Sequence, residues 1–269
     1  MGRKRHGIPV ILLGMGVFVA LLSAVSPWPT SLLIRAVFEG QAAKTEKEMH
    51  AYEPAAGIDQ KLDVPYGTDG TNTTFDVFFP ADSAGPLPTV VWIHGGAWIS
   101  GDKADVRPYA RILASHGYTV VAVNYPVAPE AVYPAAVAQL NGALGFLTAH
   151  ADQYRIDADR IVIAGDSAGS QYAAQLATMI TSPTYAAQVG LTPAVAPHQV
   201  RGVVLNCGIY DVGGIPDAPG IGGWGFRTAL WAYLGTKDWS NTAGGKLMGT
   251  LDDVTADFPT TWISGGNAD

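Results

Sequence analysis

Residues 160–180 read RIVIAGDSAGSQYAAQLATMI, and the fold class follows from this stretch. Residues 160–164 form a short apolar run, which is typical of a strand buried on both faces of a parallel sheet. Residues 167–180 place Ala173, Leu176, Ala177 and Ile180 along one face of a helix. The stretch therefore predicts a strand that passes through one tight turn directly into a helix.

The same strand-and-helix pattern recurs along most of the chain. Further strand-like runs cover residues 74–79, 89–93, 118–124, 200–206 and 260–264, and helical patterns cover residues 105–116 and 134–150. Alternating units of this size predict an α/β fold with a mostly parallel, doubly wound sheet. Residues 208–241 are rich in glycine and tryptophan, and we expect an irregular insertion there that roofs a pocket.

The composition excludes several classes of protein. The chain has 269 residues, of which 48% are hydrophobic and 14% charged, so it has the apolar content that a disordered chain lacks. Its single cysteine, Cys207, excludes an intrachain disulfide framework and a cysteine-rich metal cluster. We expect this thiol to be buried. The formal net charge of −7 argues against a nucleic-acid partner.

The N-terminal residues differ from the rest of the chain. Residues 3–5 are Arg-Lys-Arg, and the apolar residues 8–25 that follow are just long enough to cross a hydrocarbon layer of about 30 Å as a helix. Because basic flanks stay cytoplasmic, residues 1–30 predict a transmembrane signal anchor with the rest of the chain extracytoplasmic. A cleaved signal peptide, which would leave a secreted protein, is the alternative. Residues 31–58 are interpreted as an amphipathic segment and charged tether, and residues 59–269 as the α/β domain.

Gly165-Asp166-Ser167-Ala168-Gly169 matches the pattern G-x-S-x-G at the predicted strand-to-helix turn. A tight turn in this place holds the serine hydroxyl clear of the sheet, and glycines are needed because the strained backbone leaves no room for side chains. The helix that begins there points its first amides towards the serine, which favours negative charge. The motif predicts Ser167 as a nucleophile, and an ordinary strand-to-helix turn is the alternative.

A second motif, His94-Gly95-Gly96-Ala97-Trp98, comes directly after the predicted strand 89–93. Glycines let a backbone approach a substrate carbonyl and aim N–H groups at the oxygen as it gains charge. The loop precedes the serine motif along the chain, as expected for the second half of an oxyanion hole. We expect His94 to order the loop rather than to act as a base.

The two motifs together resemble the hormone-sensitive-lipase-like branch of the α/β-hydrolase esterases. Residues 123–130 and 133–136 are similar to the segment between the motifs in that branch, and the resemblance covers about residues 64–269. It implies an α/β-hydrolase fold and a small-molecule carboxylic ester as substrate, cleaved through an acyl-enzyme. It also implies Ser167 as nucleophile, with oxyanion-hole donors from the backbones of Gly95, Gly96, Ala97 and Ala168.

Family members carry their catalytic groups in the order serine, acid, histidine. Residues 258–269 resemble the strand and loop that deliver the acid, which makes Asp269 the candidate and Asp211 the alternative. No histidine follows Asp269, and His198 precedes a predicted strand. We therefore expect the sequence to lack the final strand, the histidine loop and the closing helix of the fold. Because a triad works as a unit, we also expect these residues alone to be nearly inactive.

Other motifs carry less chemistry. No zinc-protease, EF-hand or P-loop pattern is present, so no metal or nucleotide cofactor is predicted. Residues 220–225 match G-x-G-x-x-G without a strand directly before them, which favours a mobile pocket loop over a dinucleotide site. The aromatic residues between 224 and 233 either line an acyl pocket or pack the insertion.

A non-catalytic binding protein on the same fold is the alternative function, and the oligomeric state stays open.

Overall fold

The apolar runs of the sequence become the strands of one seven-stranded sheet in a computed structural model, which describes residues 18–265. The strands are β1 (Ile58–Pro65), β2 (Thr74–Pro80), β3 (Leu87–Ile93), β4 (Thr119–Val123), β5 (Ile156–Asp166), β6 (Val200–Asn206) and β7 (Thr260–Ser264). Their order across the sheet is β1-β2-β4-β3-β5-β6-β7. β1 pairs with β2, and β2 with β4, in antiparallel register, while every other neighbouring pair is parallel. The predicted, mostly parallel α/β sheet is confirmed.

Helices cover both faces of this sheet, and two of them precede its first strand in the chain. They are α1 (Phe18–Val25), α2 (Trp28–Met49), α3 (Arg107–Ala114), α4 (Ala135–Ala149), α5 (Ala168–Thr181), α6 (Pro183–Val189), α7 (Gly220–Leu234) and α8 (Ala243–Met248). Every residue of α5 is buried, and α5 packs on β5 and β6. Because β5 and α5 lie at the centre of the fold, the turn between them is held by packing on both sides.

Most elements lie where the sequence predicted them, and the exceptions have a physical cause. The strands predicted at 200–206 and 260–264 have those bounds, but β1 was missed. β1 is an edge strand in which six of the eight residues are exposed and three are charged. Its alternation of apolar and polar residues is interrupted at Gln60, so the strand signal is weak. A strand of this kind is stabilised by its ladder with β2 rather than by burial of its own side chains.

Two segments for which no helix was predicted contain long helices. Residues 31–58, interpreted as an amphipathic segment and tether, lie largely within the 22-residue helix α2, which is rich in the good helix formers Ala, Glu, Lys and Gln. Residues 208–241, predicted as an irregular insertion, contain the 15-residue helix α7. The glycines of α7 disfavour a helix locally, but burial of Ala229, Leu230 and Tyr233 stabilises it. The mobile pocket loop predicted at residues 220–225 is therefore wrong, because these residues form the first turns of α7.

The N-terminal helices do not form one straight span in the described residues. No single helix between residues 18 and 265 combines the length and the apolar composition needed to cross a bilayer. Residues Phe18–Val25 and Trp28–Tyr52 meet that test only as a pair, and they are bent by 98° at the break. The rest of the predicted anchor, residues 1–17, lies outside the described residues.

Candidate active site

Ser167 lies at the turn between β5 and α5 in a backbone conformation that side chains seldom adopt. Its φ is 51° and its ψ is −118°, and it is the residue directly before the first turn of α5. Its backbone N–H donates to the carbonyl of Asn206, 2.8 Å away, at the end of β6. Strain of this kind persists only where the surrounding structure holds it, and it concentrates at functional sites.

The glycines beside Ser167 allow two strands to end against the same turn. A Cβ on Gly169 would overlap the carbonyl oxygens of Ile93 and His94 at the end of β3. A Cβ on Gly165 would overlap the backbone of Gly169 and the carbonyl of Ile93. The pattern G-x-S-x-G is thus required by the close approach of β3 to the serine turn.

The glycine loop after β3 lies directly across from this turn. Gly96 has φ +121° and Ala97 has φ 51°, and a Cβ on Gly96 would overlap the carbonyl of Ser100. The backbone N–H of Gly95 donates to Oδ1 of Asp166 at 3.2 Å. None of the described residues accepts a hydrogen bond from the N–H of Gly96 or Ala97. Within residues 18–265 the N–H groups of Gly96 and Ala97 therefore have no acceptor, whereas that of Gly95 is engaged.

Asp166 joins the glycine loop to the serine turn. Besides the bond from Gly95, its Oδ1 accepts a hydrogen bond from the indole Nε1 of Trp92 at 3.2 Å. Burial raises the pKa of this carboxyl, and the two donated hydrogen bonds oppose that shift. Through these two bonds the carboxylate supports the glycine loop and the end of β3.

His94 is enclosed by the loop that it begins. Its ring stacks on Tyr125 with centroids 4.3 Å apart, and its Nδ1 lies 2.8 Å from the carbonyl of Gly95. Only 2% of the residue is exposed, and burial lowers its pKa, so the imidazole is neutral at pH 7. These contacts fit a residue that orders the loop.

Ser167 and the glycine loop open into one cleft of about 480 Å³. Its walls come from the end of β3 and the glycine loop, from α3 and the turn before it, from the serine turn and from the end of β6. The side chains that line it are Phe38, Glu39, Gln41, Ala42, Thr45, Met49, Trp92, His94, Ser100, Asp105, Val106, Tyr109, Asp166, Ser167 and Asn206. The cleft is mostly apolar and has a few polar groups among its lining residues, which is the usual form of a small-molecule site.

Helix α2 forms a wall of the cleft that the sequence analysis missed. Phe38, Ala42, Thr45 and Met49 all line it. They recur at intervals of four, three and four residues, which places them on one face of a helix. This spacing was the available signal, but the charged residues between 44 and 48 favoured a solvated tether.

Arg35 attaches α2 to the domain. Its Nε donates to the carbonyl of Ile99 at 2.6 Å, and its Nη2 donates to the carbonyl of Ala128 at 2.9 Å. Its two terminal nitrogens also form a bidentate pair with the carboxylate of Glu130, at 2.8 and 2.6 Å. At the other end of the helix, Glu53 pairs with Nε of Arg111 at 2.8 Å. The segment that covers the cleft is thus fixed at both ends.

The remaining predicted residues take several positions. Ala97 and Ala168 are buried and follow the lining residues Gly96 and Ser167 in the chain, but they do not themselves line the cleft. Asp269 lies outside the described residues. Asp211 does not line the cleft: it is exposed and accepts a hydrogen bond from the N–H of Gly213, so it caps a short 3₁₀ helix. Cys207, expected to be buried, is an exposed free thiol.

The tryptophans of α7 do not belong to this cleft. Trp224 and Trp231 line a second cavity, of about 580 Å³, between α1 and α7. Tyr233 is buried in the core, stacked on Trp98 with ring centroids 6.2 Å apart. Of the two interpretations, packing of the insertion onto the domain applies to Tyr233, and an acyl pocket beside Ser167 does not include these side chains.

Comparison with known proteins gives one matching family model and relatives named as hydrolases. The family model described as BD-FAE matches residues 75–269. A relative named "Probable carboxylic ester hydrolase LipM", from Mycobacterium tuberculosis, is 31% identical over 58% of this chain and 36% of that protein. A kynurenine formamidase from Salmo salar is 34% identical over 60% of this chain and 50% of that protein. The chain therefore spans half or less of the length of these curated relatives.

Among solved structures, esterase B from Lactobacillus rhamnosis superposes with a TM-score of 0.70. The alignment covers 87% of this chain and 83% of that one, at 22% sequence identity. At that identity the likeness concerns the fold alone.

Proposed function

The chain belongs to the BD-FAE family, within the hormone-sensitive-lipase-like α/β-hydrolases, and from this premise we propose that the whole protein is a serine hydrolase of carboxylic esters. The observation that carries the proposal is that the cleft brings Ser167 and the glycine loop together. A strained serine facing unoccupied backbone donors across an apolar cleft is suited to acyl transfer through an acyl-enzyme. The substrate is a small ester whose carbonyl lies between the two motifs.

Each residue takes one role in this proposal. Ser167 attacks the carbonyl carbon, and the oxygen that gains charge is stabilised by the N–H groups of Gly96, Ala97 and Ala168. Gly95 has a different role, because its N–H is bonded to Asp166 and holds the loop in place. Asp269 is retained as the acid that orients the catalytic histidine.

We assign none of the described histidines as the base that accepts the proton of Ser167. Of the histidines in the described residues, His94 lines the cleft, whereas His50, His116, His150 and His198 do not. Since Nδ1 of His94 is directed at its own loop and its ring is stacked on Tyr125, we assign it no proton transfer. We therefore propose that these 269 residues, taken alone, turn over esters slowly. Loss of one triad member lowers kcat by about 10⁴ to 10⁶-fold.

We further propose that the N-terminal segment anchors the protein in a membrane with its α/β domain extracytoplasmic. The support is the basic cluster at residues 3–5 followed by the apolar residues 8–25. Protease protection in sealed vesicles tests the orientation. The proposal requires added protease to digest the domain in vesicles whose extracytoplasmic side faces outwards. In vesicles of the opposite orientation the domain should be protected.

Labelling with a fluorophosphonate tests the enzymatic role. In the full-length natural protein we expect stoichiometric labelling that is lost in Ser167→Ala and retained in Ser115→Ala, an exposed serine outside the cleft. A binding protein on this fold has no activated serine, so equal and negligible labelling of all three proteins would contradict the proposal. Ester turnover by the 269-residue chain that vanishes in Ser167→Ala would contradict the proposed low activity.

A further inference from the structure

We propose that α1, the outer face of α2 and the first turns of α7 together dock on a lipid bilayer and present the mouth of the Ser167 cleft to it. We define this docking face by six exposed apolar side chains: Leu21, Val25, Leu33, Val37, Ile221 and Trp224. The docking itself is independent of the proposed enzymatic activity, whereas the supply of substrate from the bilayer depends on it.

Exposed apolar side chains are concentrated at this place in the fold. Of the twenty large hydrophobic residues that are exposed in the described part of the chain, ten lie between residues 18 and 38. Val25 is 77% exposed, Val37 is 68% exposed, and Leu21 and Leu33 are each 64% exposed. A concentration of exposed apolar side chains of this kind marks an interaction site in a folded protein.

Helix α7 continues the surface beyond α1. Trp224 lines the second cavity together with Ala20 and Ala24 of α1, and Lys237 donates to the carbonyl of Ala24 at 2.5 Å. Ile221 is three residues before Trp224 and so lies on the same side of α7, where it is 85% exposed. The two helices thus contribute to one face.

Three observations favour a bilayer as the occupant of this face. The chain before α1 continues the apolar stretch and begins with the basic residues 3–5. The bend of 98° means that α2 lies along a membrane surface when α1 is directed into the membrane. The second cavity contains Arg227 and Lys237 beside tryptophans, with no carboxylate among its described lining residues, although the protein as a whole is acidic. Cations and tryptophans are the side chains that favour the headgroup region.

The docking face reaches the cleft through α2. Phe38 is 39% exposed next to Val37 and also lines the cleft. One turn further on, Ala42 continues the cleft wall. Docking of α2 therefore places the entrance of the cleft at the membrane interface, where an ester dissolved in the bilayer can enter without crossing bulk water.

Spin labelling tests the docking without any need for turnover. The full chain carrying Cys207→Ser is reconstituted in nanodiscs of phosphatidylcholine with a minority of phosphatidylglycerol, and single labels are attached to Leu33→Cys, Val37→Cys or Ile221→Cys. The controls are Leu62→Cys and Leu251→Cys, which replace exposed apolar residues elsewhere. We expect oxygen collisions to exceed nickel-chelate collisions at positions 33, 37 and 221, and the reverse at positions 62 and 251. Equal values at all five positions would overturn the proposal, as would dipolar broadening between copies of the chain at positions 33, 37 and 221.

A second measurement tests substrate entry in the full-length protein. We expect Val37→Glu to slow labelling of Ser167 by a long-chain phosphonate dissolved in the nanodisc, and to leave labelling by a short water-soluble phosphonate unchanged. Leu251→Glu, remote from the face, should alter neither rate. Equal slowing of both probes by Val37→Glu would contradict entry from the bilayer. If neither probe labels Ser167, the enzymatic proposal fails while the spin-label result still decides the docking.

Discussion

Oδ1 of Asp166 accepts a hydrogen bond from the backbone N–H of Gly95 at 3.2 Å, and this bond joins two motifs that lie 71 residues apart in the chain. It holds the glycine loop against the residue that precedes Ser167. The same oxygen accepts the indole N–H of Trp92, so the carboxylate is a fixed point for the end of β3.

Two substitutions of Asp166 distinguish the effect of its charge from the effect of its hydrogen-bond acceptor. Asp166→Asn keeps an oxygen for Gly95 and Trp92, so we expect it to retain labelling of Ser167 by a fluorophosphonate. Asp166→Ala leaves the N–H of Gly95 without a partner, which costs about 1–3 kcal/mol, and should slow labelling. Labelling rates and urea unfolding of the three proteins measure both effects, and equal rates in all three would show that the bond does not position the loop.

Asp166 also gives a pH dependence with a defined sign. Because burial raises the pKa of this carboxyl in the folded state, the folded state holds its proton more tightly than the unfolded state does. The contribution of this group to the free energy of unfolding is therefore greatest below the ordinary carboxyl pKa and declines as the pH rises towards the raised value. In urea unfolding at a series of pH values, the free energy of unfolding of the natural sequence minus that of Asp166→Asn should show this decline, because the other carboxyl groups contribute equally to both proteins. An identical pH profile in the two proteins would contradict the raised pKa.

The close approach of β3 to the serine turn predicts a strong effect at Gly169. A methyl group there overlaps the carbonyls of Ile93 and His94, so Gly169→Ala should lower the free energy of unfolding by about 1–3 kcal/mol. Gly142→Ala is the matched control, since a Cβ at this position in α4 meets no atom within 4 Å. It should raise the free energy of unfolding by about 0.5–1 kcal/mol. Chemical unfolding measures both, and a neutral Gly169→Ala would be inconsistent with the described packing.

Arg35 is expected to control how firmly α2 covers the cleft. Arg35→Ala removes the bonds to Ile99, Ala128 and Glu130, and hydrogen bonds that involve a charged group contribute about 1.5–3 kcal/mol each. Because Glu130 is partly exposed, its share is smaller. We expect faster amide hydrogen exchange throughout α2, with little change in β3 and β5. Lys44→Ala, which removes an exposed pair with Glu48 on the same helix, should leave exchange in α2 nearly unchanged.

The wall formed by α2 predicts a selectivity for size. Ala42→Phe extends a side chain into the cleft, whereas Ala43→Phe places the same group on the exposed side of the same helix. We expect Ala42→Phe to slow labelling of Ser167 by a bulky phosphonate by about tenfold, equivalent to about 1.4 kcal/mol in the barrier. A small phosphonate should be affected less, and Ala43→Phe should resemble the natural sequence with both. Slowing by Ala43→Phe equal to that by Ala42→Phe would show that α2 does not line the path.

Local patterns in the sequence predicted the parts of the fold that depend on neighbouring residues. Strands β6 and β7 and helices α4 and α5 were recognisable because the period of their apolar residues matches their own geometry. Edge strand β1 and helix α7 were not, because one is stabilised by its ladder with β2 and the other by burial of a few residues against the domain. In both cases contacts with distant residues outweigh the local preference.

The sequence by itself determined that Ser167 stands at a sharp turn between a buried strand and a helix, and that a glycine loop follows β3. Both features are consequences of short-range backbone sterics, which glycine positions reveal. Only the tertiary structure decided that Asp166 engages Gly95, and that α2 covers the cleft instead of trailing as a tether. Those contacts join residues far apart in the chain, such as Arg35 and Glu130, whose pairing depends on how the whole sheet brings them together.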